Sequence, residues 1–251
     1  MSRPVVPAAL LDPVVAYFHP RRVILFGSQA RGDAGRDSDI DLLVVVDDDT
    51  PAEKITLEAG VQARRGYDDP ADVIPVRDET FRRMAGIPGT LSRAAVLDGV
   101  TVYERVPAVM SEPEPGDVRA SVATWLRIAR ADMQVAQACV SMDPAQLGVA
   151  AYHCQQAAEK LLKAFLVLAG IDFRRTHDLK ALGQDVAKAF PTLRVEIASM
   201  REWTGWGLAY RYPDGPDALP DPSGAELAQA LTRIGRVAQT LEAELASRFP
   251  A

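Results

Sequence analysis

Cysteine is nearly absent from this 251-residue chain, which has only Cys139 and Cys154, each inside an apolar helical pattern. Two thiols so placed exclude a disulfide framework, and with no further ligands beside them they exclude a structural zinc site. Histidine is scarce, with three residues, and aromatics make up 6% of the chain. No apolar run approaches the roughly 20 residues of a membrane-spanning helix. The start, MSRPVVPAALLDPVVAYFHP, is broken by Pro4, Pro7 and Pro13 and does not read as a signal peptide. The expectation is a cytoplasmic protein with no membrane partner. A basic excess is missing as well: the net charge is −6, with 13 basic and 17 acidic residues in 1–107 and 15 and 17 in 108–251. No broad positive field drives phosphate contacts, which argues against nucleic acid as the partner unless a local basic groove forms.

What is present divides in two. The segment Val106-Pro-Ala-Val-Met-Ser-Glu-Pro-Glu-Pro-Gly-Asp117 carries three prolines and a glycine and reads as a linker. The expected division is a first domain at 1–106, a linker at 107–117 and a second domain at 118–251. In the first, β-branched runs at Val23–Phe26, Ile40–Val46, Asp72–Val76 and Val100–Tyr103 alternate with helical patterns at Ala8–Phe18, Pro51–Arg65 and Asp78–Ala85. That alternation predicts an α+β domain around a small mixed sheet. After the linker, Val118–Val140, Pro144–Leu168, Asp178–Phe190, Leu193–Trp203 and Gly224–Phe249 fit helical periodicity, and the expectation is an all-α bundle.

Chemistry concentrates in Val23-Ile-Leu-Phe-Gly-Ser-Gln-Ala-Arg-Gly-Asp-Ala-Gly-Arg-Asp-Ser-Asp-Ile-Asp-Leu-Leu-Val. A buried strand ends at Phe26, and Gly27 lets the backbone turn and approach a ligand. The amides after it and the Ser28 hydroxyl can address phosphate oxygens. Asp39 and Asp41 open the next strand, and alternate residues share a face, so both carboxylates project together while Ile40 and Leu42 turn to the core. Paired carboxylates repel unless a cation lies between them, and magnesium takes such hard oxygen ligands together with substrate phosphates. Asp72, which begins the run Asp-Val-Ile-Pro-Val, is the candidate third acid of a two-metal site for in-line attack on phosphorus. The structural alternative for Asp72 is an ordinary turn residue.

These residues carry a family resemblance. Residues 20–105 resemble the minimal nucleotidyltransferases of the polymerase-β type, whose fingerprint stands here as Gly27-Ser28-Gln29-Ala30-Arg31-Gly32 and Ser38-Asp39-Ile40-Asp41-Leu42. The resemblance implies transfer of a nucleoside monophosphate from ATP or a similar triphosphate, with release of pyrophosphate. It implies that Asp39 and Asp41 hold two Mg2+ ions, with Asp72 aiding the metal or activating the acceptor. Gly27 and Ser28 would grip the triphosphate, and Arg31 and Ser38 would add phosphate contacts, the alternative for these two being a solvated loop.

The helical half resembles the HEPN family through Ala150-Ala-Tyr-His-Cys-Gln-Gln-Ala-Ala-Glu-Lys-Leu-Leu-Lys-Ala-Phe-Leu166, then Gly170, Thr176-His177-Asp178-Leu179 and Tyr210-Arg211-Tyr212-Pro213. Ribonuclease members place a histidine five to seven residues after an arginine. Here His153 and His177 lack an arginine at that distance, Arg174 and Arg175 being too close. His177 then reads as a residue at a helix start capped by Thr176. Glu159 and Lys163 lie four apart on one helix, which the plain reading makes an exposed ion pair. Antibiotic nucleotidyltransferases such as the kanamycin enzymes join similar domains, and that resemblance would make Glu159 the base on the acceptor hydroxyl and Lys163 a nucleotide contact. Trp203, Trp206, Tyr210 and Tyr212 form an aromatic stretch suited to a core or a dimer contact.

The expected function is Mg2+-dependent transfer of AMP from ATP to a hydroxyl. The acceptor is a tyrosine of a partner protein, as toxin–antitoxin relatives of both domains suggest, or a small molecule, and a homodimer is expected. Two other readings stand beside it: a HEPN ribonuclease or toxin–antitoxin module regulated by its first domain, and a non-catalytic nucleotide sensor.

Overall fold

A computed structural model of the chain describes residues 6–35, 38–106, 113–173, 176–211 and 222–250, the side chains of 208–211 excepted. The chain divides into two compact units, Met1–Glu114 and Pro115–Ala251.

In the first unit α1 (Ala8–Phe18) is followed by β1 (Arg22–Phe26), a short α2 (Gly27–Arg31), β2 (Ile40–Val46), α3 (Leu57–Ala63), β3 (Ala71–Arg77), α4 (Asp78–Met84), α5 (Leu91–Leu97) and β4 (Val100–Glu104). The strands make one mixed sheet in the order β3-β2-β1-β4. β1 runs antiparallel to β2 and β4, and β2 runs parallel to β3. All five residues of β1 are buried, because both sheet faces are covered. On one face Val23, Leu25, Leu42, Val44, Val46 and Val73 pack with Leu10, Val14 and Phe18 of α1 and Ala59 and Ala63 of α3. On the other, Ile24, Phe26, Leu43 and Val45 pack with Phe81 of α4 and Ala95 of α5. Each large side chain so buried contributes about 1.5–3 kcal/mol. Helix α3 lies so close to the sheet that a side chain at Gly60 would overlap the Val73 carbonyl. A strand sandwiched on both sides can carry polar side chains only at its ends, and polar clusters do occupy both ends of this sheet.

One end holds Gly27, Asp41 and Asp72. At the other, Arg22, 2% exposed, donates to Asp78 Oδ1 at 2.8 Å and to the Val106 carbonyl at 3.2 Å. Its guanidinium lies 5.1 Å from the centre of the Phe81 ring. Asp78 also lies 3.1 Å from Arg82 Nε and 3.5 Å from Arg21 Nε. Asp47 accepts from Arg21 at 2.8 Å and from Arg105 at 2.6 Å. The Arg21 hydrogen bond, opposed by burial and aided by Arg105, holds the Asp47 carboxyl below its usual range.

The four expected strands are present. The helix expected at Pro51–Arg65 is instead a 3-10 turn, Ala52–Lys54, followed by α3. The break falls where Thr56, in an extended conformation, accepts a hydrogen bond from the Ala59 amide and so caps a fresh helix. Helix α5 was not expected. It is seven residues long, too short for its periodicity to show, and its legible sign is Thr90, which caps it through the Arg93 amide.

The second unit contains α6 (Pro115–Val140), α7 (Leu147–Leu168), α8 (Leu179–Ala189), α9 (Arg194–Met200), α10 (Thr204–Arg211) and α11 (Gly224–Arg248). The helix expected across Leu193–Trp203 is α9 alone, flanked by 3-10 turns at Pro191–Leu193 and Arg201–Trp203. Helix α7 is the central element, in contact with α6, α8, α10 and α11. Alanines at 150, 151, 157, 158 and 164 are all buried and let the neighbours approach closely. Helix α11 opens with a capping box in which the side chains of Ser223 and Glu226 each accept the other's backbone N–H, worth about 1 kcal/mol. Among the described residues no helix is long and apolar enough to cross a membrane.

Candidate active site

Phe26 pairs with Asp41 across β1 and β2, and Asp41 pairs with Asp72 across β2 and β3. Alternation places Asp41 and Asp72 on the sheet face of Leu43, Val45, Ile74 and Val76, just beyond the edge of that core. Asp39, expected to open the strand, lies just before β2 instead. Asp41 is half-buried, while Asp39 and Asp72 are exposed. Gly27 completes the corner at the end of β1. Its φ of +76° lies in the left-handed region, and a Cβ there would overlap Asp41 Oδ2. Glycine is thus required twice, by conformation and by the carboxylate lying against it.

The chain next to this corner is braced by hydrogen bonds. The Gly32 and Asp33 amides donate to the Ser28 carbonyl, closing α2. Arg31 is engaged with Asp33, at 3.1 and 3.2 Å, and lies 3.9 Å from Asp98, so any anion it binds must compete with carboxylates. Ser38 Oγ accepts from the Gly35 amide at 2.9 Å. Gln29, whose place in the motif pattern carries no prescribed residue, donates from Nε2 to the Ser38 carbonyl at 3.2 Å. Sequence reasoning passed over this residue, and its one visible sign was its position between Ser28 and Ala30.

The donor set suits magnesium. Asp39, Asp41 and Asp72 all carry hard carboxylate oxygens, two of them in register on adjacent strands, and Gly27 lets the Asp41 carboxylate lie where a side chain would otherwise be. Among the described residues no three His, Cys, Asp or Glu side chains are already gathered tightly enough to hold a metal. Magnesium ordinarily takes one or two carboxylates plus substrate phosphates rather than a closed protein cage, and a register pair open to solvent meets that demand.

In the second unit Glu159, Lys163 and His177 come together. The ion pair expected at the surface is buried, with Glu159 4% and Lys163 9% exposed, because α7 is enclosed by other helices. Lys163 Nζ donates to Glu159 Oε1 at 2.7 Å, and Gln155 Nε2 donates to Oε2 at 3.1 Å. His177 Nδ1 lies 3.0 Å from Oε2. Gln155, one turn before Glu159 on α7, was the missed member. Thr176 is not the cap of α8. Asp178 is, accepting from the amides of Lys180 and Ala181, while Thr176 Oγ1 accepts from the Asp178 amide. Trp203, 8% exposed, stacks on Trp206 with ring centres 5.3 Å apart. Arg174, Arg175, Tyr212 and Pro213 lie outside the described residues, as do the side chains of Tyr210 and Arg211.

Burial pushes the Glu159 carboxyl up, but the hydrogen bonds and charges of Lys163 and His177 outweigh it and hold the group below the usual carboxylate range. A carboxyl lowered on folding stabilises the protein above its unfolded pKa, about 4.3. That contribution is lost as pH falls through the lower, folded value. Denaturant titrations of wild type and Glu159→Gln are expected to show the Glu159 contribution in full at about pH 5. Below about pH 4 the difference should shrink. A difference that stays flat down to pH 3 would show that Glu159 gains nothing from its partners.

Residues 10–97 match the nucleotidyltransferase domain family and residues 122–243 match the HEPN domain family. No curated protein matches the chain. Among solved structures the chain is similar to a nucleotidyltransferase-like protein from Exiguobacterium sibiricum 255-15, at 12% identity over 94% of this chain and 74% of that one, TM-score 0.48. It is also similar to the spectinomycin adenyltransferase AAD(9) from Enterococcus faecialis, solved with ATP and spectinomycin, at 14% identity over 93% of this chain and 95% of that one, TM-score 0.44.

Proposed function

We propose, from the premise that the chain is a nucleotidyltransferase domain followed by a HEPN domain, that it moves AMP from ATP to a hydroxyl acceptor and releases pyrophosphate. The observation that carries this reading is the corner in which Gly27 leaves room for the Asp41 carboxylate while Asp41 stands in register with Asp72. Structural strand ends do not need two carboxylates side by side, since like charges directly opposite are destabilising. A site that must hold a polyphosphate and its cation does.

Asp39, Asp41 and Asp72 would hold magnesium, which when bound neutralises phosphate charge and favours attack at the α-phosphorus. Gly27 lets the Asp41 carboxylate lie against the turn, and Ser28, half-buried at the start of α2, would address the triphosphate oxygens with its hydroxyl. Arg31 and Ser38 are supplementary phosphate contacts, Arg31 on release from Asp33. We assign Glu159 and Lys163 a bracing role in the helical part, in place of the base and the nucleotide contact that the kanamycin-type resemblance implies. A buried carboxylate held ionised by three donors has little tendency to take up a proton. The catalytic part is assigned to residues 1–106 and the helical part to 118–251, joined by 107–117, of which 115–117 already belong to α6.

The test is pyrophosphate release by the purified chain with each of the four ribonucleoside triphosphates, with and without magnesium, in the presence of hydroxyl acceptors of both classes. Release that depends on magnesium, prefers ATP and leaves labelled AMP on a protein tyrosine or on a small hydroxyl compound is the expected result. Absence of release with every triphosphate and acceptor would overturn the assignment.

A further inference from the structure

The Gly-Ser corner and the carboxylates belong to separate segments, and catalysis needs them in fixed register. Asp41 and Asp72 are placed by the sheet itself. Asp39 precedes β2 and is exposed, so no strand pairing holds it. Its backbone is nevertheless tied on both sides. After it, the Ile40 amide donates to the Pro70 carbonyl at 3.1 Å, joining it to the start of β3. Before it, the Ser38 carbonyl accepts from Gln29 Nε2 on α2 at 3.2 Å. Ser38 is itself folded back on Gly35, its amide donating to the Gly35 carbonyl at 3.3 Å and its Oγ accepting from the Gly35 amide at 2.9 Å. The Gln29 bond runs between the helix that follows Gly27 and the residue next to Asp39.

We propose that Gln29 is the positioning residue that sets Asp39 against the Gly27–Ser28 corner, so that the metal-binding acid and the triphosphate-binding turn keep one geometry. This rests on the nucleotidyltransferase reading above. Gln29 contributes through a neutral amide donor, which holds a carbonyl without adding charge beside the carboxylates. Side chains that orient metal ligands from behind typically change metal affinity or activity 10–100-fold when removed.

The experiment compares Gln29→Met, which keeps length and removes the donor, with Gln29→Lys, which restores an N–H donor. Binding of Mn2+ to the full chain is read by paramagnetic resonance in the presence of a non-hydrolysable ATP analogue, and turnover is measured in parallel. Gln29→Met is expected to weaken Mn2+ binding about 10–100-fold and to lower kcat while KM for ATP changes little. Gln29→Lys should recover most of the Mn2+ affinity even though its charge disfavours a nearby cation, which a merely structural role would not produce. Wild-type Mn2+ affinity in Gln29→Met, beside an inactive Asp41→Asn control, would overturn the role of Gln29 and leave the reading of the site intact. Failure of the wild-type chain to bind Mn2+ with the analogue would overturn the reading itself, and this role with it.

Discussion

Asp41→Asn is expected to lower pyrophosphate release by about 10³-fold or more while the folded protein survives with an unchanged or slightly raised melting temperature. The activity loss follows from removing one charged oxygen from the proposed magnesium site, since metal stabilisation of developing phosphate charge is worth several kcal/mol and each 1.36 kcal/mol is tenfold in rate. The stability half of the expectation follows from register. Asp41 faces Asp72 across parallel strands, and without a bound cation two adjacent carboxylates repel, so an isosteric amide relieves the pair. Asparagine also keeps the shape that fits against Gly27. Activity and stability thus move in opposite directions, as they do where a residue is kept for chemistry at some cost to the fold. Initial rates at saturating ATP and magnesium, with a thermal melt of the same samples, check both halves. Normal turnover would remove Asp41 from the site, and a collapsed melt would make it a structural residue.

Much of this corner was legible in the sequence because its parts depend on short-range rules. Gly27 ends an apolar run and Asp41 alternates with Leu42 at the start of β2, so strand alternation sets the face of Asp41, whereas Asp39, expected to open the strand, lies just before it. The β2–β3 register that brings Asp72 opposite Asp41 depends on long-range pairing that no local pattern encodes. The Gln29 bond to Ser38 spans nine residues across a loop and had no sequence signature. The same limit hid the environment of Glu159. A Glu-x-x-x-Lys spacing is identical on an exposed and on an enclosed helix, and the run of small residues along α7 was the sign that this helix is enclosed. The Arg22–Asp78 pair was hidden most completely, because its partners lie 56 residues apart and each looks locally like an ordinary charge at a strand or helix boundary.

That pair supplies the largest expected effect on stability. Asp78→Ala should destabilise the first unit by about 3–5 kcal/mol, the usual cost of leaving one partner of a buried ion pair uncompensated. Arg22 is 2% exposed, lies against the Phe81 ring and, among the described residues, keeps the Val106 carbonyl as its side-chain acceptor once Asp78 is gone. Arg82 loses its 3.1 Å partner as well, while Arg21 retains Asp47. Against the 5–15 kcal/mol that holds a typical domain together, such a loss is a large share of the stability and raises the open population by about 10²-fold or more. Hydrogen exchange in peptides covering β1 and β2 is the measurement, and fluorescence of Trp125, Trp203 and Trp206 records the second unit in the same sample. The double variant Arg22→Met, Asp78→Leu separates charge from packing. Well-packed apolar replacements for a buried pair are often neutral or stabilising, so exchange in β1 and β2 should return toward wild type. If the double variant exchanges as fast as Asp78→Ala, the cluster contributes through shape and its ties to Val106 and Arg82; if Asp78→Ala exchanges like wild type, Arg22 is not held by Asp78 at all.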